Sequence, residues 1–387
     1  MDNTFINRDI RDHILDNMRY FPVLTLTGPR QSGKTTLIKN MFPDMPYYSL
    51  ENLDTRQLAT ADPVAFLSQH EAGMILDEAQ RAPELLSYIQ GIVDEHPERR
   101  YVLTGSSEFS LLSGITQSLA GRSAVVELMP FSLHEIANRP YEPDRLILDG
   151  FYPAIHSGKN IARLFYPAYT RTYLERDVRQ LLNVENLAAF QTFLRLCAGR
   201  IGSLFNASEL SNEVGISVNT IRSWMSILQA SYLVTLLPPY YDNGRKRLTK
   251  TPKIYFYDTG LACYLLGIET PEQLSRDKMR GHLFENMVIM DVLKNRLNAG
   301  RRNDLMFYRD SNGNEIDLLV PEGPGYHAYE IKSAMTYNGS FEKSFKSLSP
   351  TLDERITRRA IIYNGTLENA AVHIALLNYR TFLTREL

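Results

Sequence analysis

Gly28-Pro29-Arg30-Gln31-Ser32-Gly33-Lys34-Thr35 is a GxxxxGK[ST] segment between an apolar, β-prone run, Val23–Thr27, and a helix-like run, Thr36–Phe42, that stops at Pro43. No other feature of the chain limits the fold as tightly. Strand, glycine-rich loop and helix in that order place backbone N–H groups and the positive end of a helix around one point, which suits a phosphate. Gly28, Arg30, Gln31, Ser32, Gly33, Lys34, Thr35 and Thr36 are therefore expected to cradle a nucleoside triphosphate. Lys34 would reach its β- and γ-phosphates, and the Thr35 hydroxyl would ligate Mg²⁺. The expected cofactors are ATP and Mg²⁺.

The second half of such a site follows downstream. Met74-Ile75-Leu76-Asp77-Glu78 is an apolar strand that ends in two acids. Asp77 suits holding Mg²⁺, and Glu78 suits polarising the attacking water. Tyr101–Thr104 is another buried-strand pattern, and it runs into Gly105-Ser106-Ser107. Ser106, with Ser107 beside it, is the candidate for touching the γ-phosphate or placing the water. Strands near 23–27, 47–50, 74–77, 101–104 and 125–128, with helical segments between them, predict a parallel α/β sheet. A strand inserted between the phosphate-loop strand and the Asp77 strand implies the additional-strand branch of P-loop ATPases.

GPRQSGKTTL, Tyr48–Asn52, ILDEAQ, LTGSS, Leu119-Ala120-Gly121-Arg122 and Pro130-Phe131-Ser132 together resemble prokaryotic AAA-type ATPases that carry a C-terminal domain of unknown function. The resemblance runs over nearly the whole chain. It implies that Arg122 acts on the nucleotide as a sensor or as an arginine finger supplied to a neighbouring subunit, which in turn implies a homo-oligomer, with a hexameric ring as one arrangement. The plainer reading of Arg122 is a cation at a helix C-terminus. Arg30 is a weaker candidate for the same role.

Ser208–Trp224 has the helix-turn-helix pattern, with Leu210, Val214, Ile216 and Ile221 as its apolar face, Gly215 in the turn and Ser217 as the cap of the second helix. Tyr232–Leu237 and Lys253–Tyr257 flank a hairpin tip at Asp242–Arg247, completing a winged helix with a basic wing. Arg222, Arg245, Lys246, Arg247 and Lys250, with Lys253 behind them, are the candidate DNA contacts. One basic residue among the polar Asn219, Thr220 and Arg222 favours backbone or shape recognition over base readout. The alternative is a winged helix that packs against protein.

In the last third, Leu283–Leu293 is an amphipathic helix carrying Glu285. Leu305–Tyr308 and Ile316–Val320 form a hairpin, and Tyr326–Lys332 is a third strand. Asp317, a gap, then Glu330-Ile331-Lys332 resembles the restriction-endonuclease core, with Glu285 as its helical acid. The resemblance implies Mg²⁺ or Mn²⁺ on Glu285, Asp317 and Glu330, with Lys332 as the catalytic lysine. Chance alternation of charge along a strand yields the same letters, so cutting and mere binding both stay open.

The expected fold class is α/β in four segments: an AAA-type core (1–137), a helical linker or lid (138–202), a winged helix (203–268) and a restriction-endonuclease-like domain (269–387). Lys+Arg 42 against Asp+Glu 44 means that any DNA site must be a local patch. Cys197 and Cys263 have no metal-ligand spacing. The N-terminus shows no signal-peptide pattern and no apolar run reaches membrane-spanning length, so the expectation is a cytoplasmic protein with no membrane partner. The functional expectation is a DNA-acting ATPase, with a non-nucleolytic, ATP-controlled regulatory or defence switch as the alternative.

Overall fold

The computed structural model describes residues 5–105, 118–138, 142–174, 186–241, 249–369 and 373–385. Val23–Thr27 (β1) is buried along its whole length, as a strand covered on both faces must be. It pairs in parallel with Arg100–Thr104 (β4) on one side and Ser123–Glu127 (β5) on the other. Tyr47–Ser49 (β2) and Gly73–Asp77 (β3) complete a parallel sheet of order β2-β3-β4-β1-β5. The expected strands are all present, and β4 is the one inserted between the phosphate-loop strand and the Asp77 strand.

Apolar side chains of β1, β3, β4 and β5 pack under the helices Arg11–Tyr20 and Lys34–Met41 on one face. The helices Leu53–Ala61, Pro63–Ser68 and Leu85–Glu95 cover the other. Among the described residues no helix is long and apolar enough to cross a membrane.

The middle of the chain folds as its capping residues dictate. Asn206 accepts from the N–H groups of Ser208 and Glu209 at the start of the helix Ala207–Val214. Gly215 closes that helix at φ 77°, a conformation that costs a side-chain-bearing residue about 1–2 kcal/mol. Ser217 then caps the helix Val218–Ala230. Val234–Leu237 (β6) and Lys253–Phe256 (β7) pair antiparallel, and the expected tip at 242–248 lies outside the described residues.

Both flanks of that tip are tied to another strand. Pro239 bridges to Phe307, and the Thr249 N–H donates to the Arg309 carbonyl at 3.1 Å. Phe307 and Arg309 belong to Met306–Arg309 (β8), the edge of a second sheet. Glu315–Glu322 (β9), Gly325–Lys332 (β10), Ile356–Tyr363 (β11) and Ala375–Asn378 (β12) extend that sheet in the order β12-β11-β10-β9-β8. β8, β9 and β10 run antiparallel, while β10, β11 and β12 run parallel.

The segments expected as a lid, a winged helix and a C-terminal domain share one apolar cluster, from Met129 to Leu383, while the first sheet has clusters of its own. Its axis is the helix Arg280–Asn298, called the long helix below, whose buried face includes polar residues that each meet a neighbouring element. The Asn286 side-chain amide accepts from the Phe256 N–H and donates to the Phe256 carbonyl, both at 2.8 Å, and so completes the edge of β7. Asp291 accepts from the Leu133 N–H at 2.6 Å, and Lys294 donates to the Phe131 carbonyl at 3.1 Å. Burial pushes the Asp291 carboxyl up to about 7 and pulls the Lys294 ammonium down, each opposed by the charge of the other.

Asp291 and Lys294 are buried opposite charges on one helix turn, and removing one leaves the other uncompensated, which in buried pairs costs about 3–5 kcal/mol. We expect Lys294→Ala to lose stability on that scale in urea unfolding followed by Trp224 fluorescence, since Trp224 lies in the same core. A loss under about 1 kcal/mol, the scale of an exposed pair, would contradict this account of the helix.

Candidate functional site

The phosphate loop is held open by its backbone. Gly28 (φ 137°) lies so close to Leu128 that a Cβ would meet its carbonyl oxygen at 2.2 Å, so no side chain fits there. Gln31 (φ 64°) and Gly33 (φ 95°) are also left-handed, and the helix Lys34–Met41 starts directly after them. The buried Lys34 ammonium donates to the carbonyls of Gly28 and Pro29, both at 2.9 Å. Ser32 Oγ is buried with no hydrogen-bond partner among the described residues, which leaves a donor inside the loop for a ligand.

Asp77 ends β3 at the centre of the site. Its Oδ2 accepts from the Thr35 hydroxyl at 2.9 Å and the Tyr47 hydroxyl at 2.5 Å, and its Oδ1 accepts from Thr104. A hydroxyl and a carboxylate in contact are the oxygen donors that Mg²⁺ takes beside phosphates and water, so the residues fit the ion the motif implies. Glu78 is left-handed (φ 57°, ψ 46°), an uncommon conformation for a non-glycine residue, and it accepts from Gln80 at 2.5 Å. Burial raises its carboxyl above the ordinary range, against the pull of Lys34. Burial also lowers Lys34 to about 8, partly offset by Glu78 and Asp77.

These residues open onto a cavity of about 460 Å³ lined by Arg30, Gln31, Gly33, Lys34, Thr35, Thr36 and Glu78 together with Phe5, Phe131, Pro153 and Lys159. Phe5, Pro153 and Lys159 were not singled out from the sequence, and Phe131 was noted only within the Pro130–Ser132 motif, because these residues come from three distant segments. Arg8 joins these segments to the loop. Its guanidinium meets Glu135 at 2.8 Å, the Ser32 carbonyl at 3.0 Å and the Met129 carbonyl at 2.7 Å, and lies over the Phe131 ring at 4.8 Å. Arg30 lies 3.7 Å from Glu51, which also meets Arg81 at 3.6 Å.

Arg122 is a correction. It immediately precedes β5 and its carbonyl accepts from the first N–H of β1, so it sits at the end of the sheet opposite the phosphate loop. A five-residue strand separates the two ends by roughly 15 Å. The Arg122 guanidinium forms a forked pair with Asp94 at 2.5 and 2.8 Å. It cannot sense the nucleotide of its own chain. Ser106 and Ser107 lie outside the described residues; Thr104, three residues from the end of the expected motif, is what meets Asp77 from this strand.

Of the expected DNA contacts, Arg222 and Lys250 are exposed, and Arg245, Lys246 and Arg247 lie outside the described residues. Lys253 is a second correction. Its side chain is 2% exposed and turns inward, to Glu315 at 2.5 Å and Glu285 at 3.4 Å.

The acids expected as metal ligands are thus already engaged. Asp317 accepts from the Ile331 N–H at 2.8 Å, and Lys332 lies 2.5 Å from Glu330 and 3.6 Å from Asp317. Glu285 accepts from the Tyr255 hydroxyl. Asp317, Glu330 and Lys332 come together as the spacing implies, but Glu285 is drawn to β7. Among the described residues no group of three His, Cys, Asp or Glu side chains is arranged to hold a metal ion. The residues present do not fit the ion that the nuclease resemblance implies. Burial raises Glu285 to about 7 and Glu330 to about 8, each also raised by Asp317 and lowered by a lysine.

Comparison with known proteins agrees with the first of these two sites. Residues 20–137 match the family model "AAA domain". Residues 142–272 and 280–380 match "Domain of unknown function (DUF8612)" and "Domain of unknown function (DUF4143)". The uncharacterized protein Rv2008c of Mycobacterium tuberculosis is 31% identical over 92% of this chain and 80% of its own length. The chain belongs to this family of AAA-type P-loop ATPases.

The uncharacterized protein MJ1544 of Methanocaldococcus jannaschii is 22% identical over 81% of the ATPase and 75% of its own length. Among solved structures, the Walker-type ATPase paby2304 of Pyrococcus abyssi is similar at 14% identity and TM-score 0.47, over 67% of this chain and 96% of that one.

The state of Lys34 gives a measurable consequence. Phosphates favour its charged form, while the free ATPase releases that proton near pH 8. Binding must restore the proton at higher pH, so affinity falls as pH rises through 8. We expect the Kd for Mg·ATP, measured by calorimetry, to be level up to about pH 7.5 and then to climb toward tenfold per pH unit. A level Kd up to about pH 9.5 would contradict the burial of Lys34.

Proposed function

We propose that the ATPase hydrolyses ATP with Mg²⁺ and uses the nucleotide state to act on duplex or branched DNA through the 206–257 module. The observation that carries the hydrolytic part is Asp77 gripped between Thr35 and Thr104, with Glu78 turned into the same cavity as Lys34. Mg²⁺, held through Thr35 and Asp77, would supply charge neutralisation on the β- and γ-phosphates. Lys34 leaves the carbonyls of Gly28 and Pro29 for those phosphates. Glu78 takes a proton from water as the water oxygen attacks the γ-phosphorus and the bond to the leaving ADP oxygen breaks. The raised affinity of Glu78 for a proton suits that role.

The 206–257 module supports the DNA reading through two capped helices, an antiparallel hairpin and exposed cations at Arg222 and Lys250. We read these elements as a winged helix. Arg122 is proposed to reach the nucleotide of a second copy, which its place at the far edge of the sheet allows, and the working form is then a homo-oligomer. The C-terminal sheet, read as a restriction-endonuclease-like fold, grips DNA or a protein partner. The reading in which the chain is a switch that does not cut is favoured by one observation: Lys253 lies 3.4 Å from Glu285, the helical acid that cutting would require.

Glu78→Gln is expected to keep Mg·ATP binding and lose turnover by about a hundredfold or more, measured by phosphate release. Unchanged turnover would remove Glu78 as the base. For DNA, Arg222→Ala with Lys250→Ala should weaken duplex binding and lower the slope of log K against log salt by about 0.9 for each phosphate that is no longer neutralised. Binding and slope equal to the wild type would place DNA elsewhere or nowhere on this module.

A further inference from the structure

We propose that Lys253 is the resident cation of the C-terminal carboxylate cluster, a latch from β7 that closes the cluster to divalent metal while the strand is seated. Such a latch does not depend on ATP hydrolysis, and it gives the non-cutting reading a definite physical basis.

β7 presents two polar groups to the same place. Lys253 and Tyr255 are two apart on a strand and so face the same way. The ammonium meets Glu315 at 2.5 Å and Glu285 at 3.4 Å, and lies 5.2 Å from the centre of the Phe307 ring. The Tyr255 hydroxyl donates to the same Glu285 oxygen. A flexible surface lysine of a DNA-binding wing would show none of this. Its side chain is 2% exposed, and a buried ammonium is stable only where anions surround it.

The acids need that cation as much as it needs them. Glu285 comes from the long helix, Glu315 and Asp317 from β9, and Glu330 from β10. Lys332 answers Glu330 and Asp317, while Lys253 answers Glu285 and Glu315. Glu330 Oε2 remains buried with no hydrogen-bond partner among the described residues, so the cluster still has an acceptor facing inward. Withdrawing Lys253 would leave buried carboxylates with too little positive charge, a condition that a divalent cation relieves.

The strand that carries the latch is buried and held on both edges. Asn286 clasps Phe256 through its side-chain amide, the Gly202 N–H donates to the Ile254 carbonyl at 2.9 Å, and the Ile254 N–H donates to the Ser203 carbonyl at 3.0 Å. Lys253 and Tyr255 are therefore held at the cluster together.

The test uses the full chain with Lys34→Ala, so that the phosphate loop contributes little, and reads Mn²⁺ binding by electron paramagnetic resonance. The parent should show no Mn²⁺ at the cluster. Lys253→Ala should gain one Mn²⁺ site at least about tenfold tighter than anything in the parent, and adding Asp317→Asn should abolish it. Lys253→Arg, which keeps a cation there, should gain nothing.

Mn²⁺ binding by the parent that Asp317→Asn removes would overturn the proposal, and so would a folded Lys253→Ala protein that gains no site. If Lys253→Ala fails to fold, amine acylation of the wild type followed by mass spectrometry decides: Lys253 should be protected where Lys250 is modified. Equal modification of the two would overturn the proposal.

Discussion

Asn286, Asp291, Lys294 and Arg296 of the long helix Arg280–Asn298 are buried because each is spent on the backbone or charges of its neighbours. Asp291 and Lys294 are fully enclosed and bind the backbone of Phe131 and Leu133. Lys294 also lies 4.0 Å from the centre of the Phe151 ring. An interior charge is tolerated when a partner and hydrogen bonds replace its water, and breaking such a set costs more than an exposed pair contributes. The helix is therefore committed to one placement. That placement joins the C-terminal sheet to the segment 129–135, which lines the nucleotide cavity through Phe131.

Two further contacts tie the nucleotide end to the rest. Tyr232, left-handed at φ 55°, places its hydroxyl 3.0 Å from Thr27 and donates at 3.0 Å to Glu127. Thr27 is the residue before Gly28, so the base of the phosphate loop is in contact with the entry to β6. Asp258, just past β7, accepts from the Phe151 N–H at 2.7 Å and the Tyr166 hydroxyl at 2.6 Å. A side-chain-bearing residue in the left-handed region carries a cost that persists only where its surroundings hold it. The middle module is thus not a free lid. Any nucleotide-driven displacement near Thr27 or Phe131 meets packed contacts with β6, β7 and the long helix.

Much of this was legible in the sequence where chemistry is local. The GxxxxGKT loop and Asp77-Glu78 at the end of an apolar run depend on adjacent residues, as do the Ser217 and Gly215 signals around two helices. Each stands where expected. The five strands of the first sheet and the first three of the second were also readable, because strand runs and turns are short-range patterns; the strand Ala375–Asn378 was not.

What depends on the third dimension was not legible. Lys253 reads as part of a basic wing until the fold turns it toward Glu285 and Glu315. Arg122 reads as a nucleotide sensor until the parallel register puts it at the other end of β5. The helix expected to be amphipathic over Leu283–Leu293 has no solvent side at Asn286 and Asp291, nor at Lys294 just beyond it. Asp317, Glu330 and Lys332 show the remaining difficulty: residues with nuclease spacing meet as expected, yet their charges are neutralised within the chain.

The nucleotide site and the C-terminal sheet are expected to respond together, coupled through the long helix. Hydrogen–deuterium exchange of the full chain, with and without a non-hydrolysable ATP analogue and Mg²⁺, tests it most directly. Exchange should change in the long helix and in β7 as well as around the phosphate loop. A change confined to the loop and the strands beside it, with the long helix and β7 untouched, would contradict it.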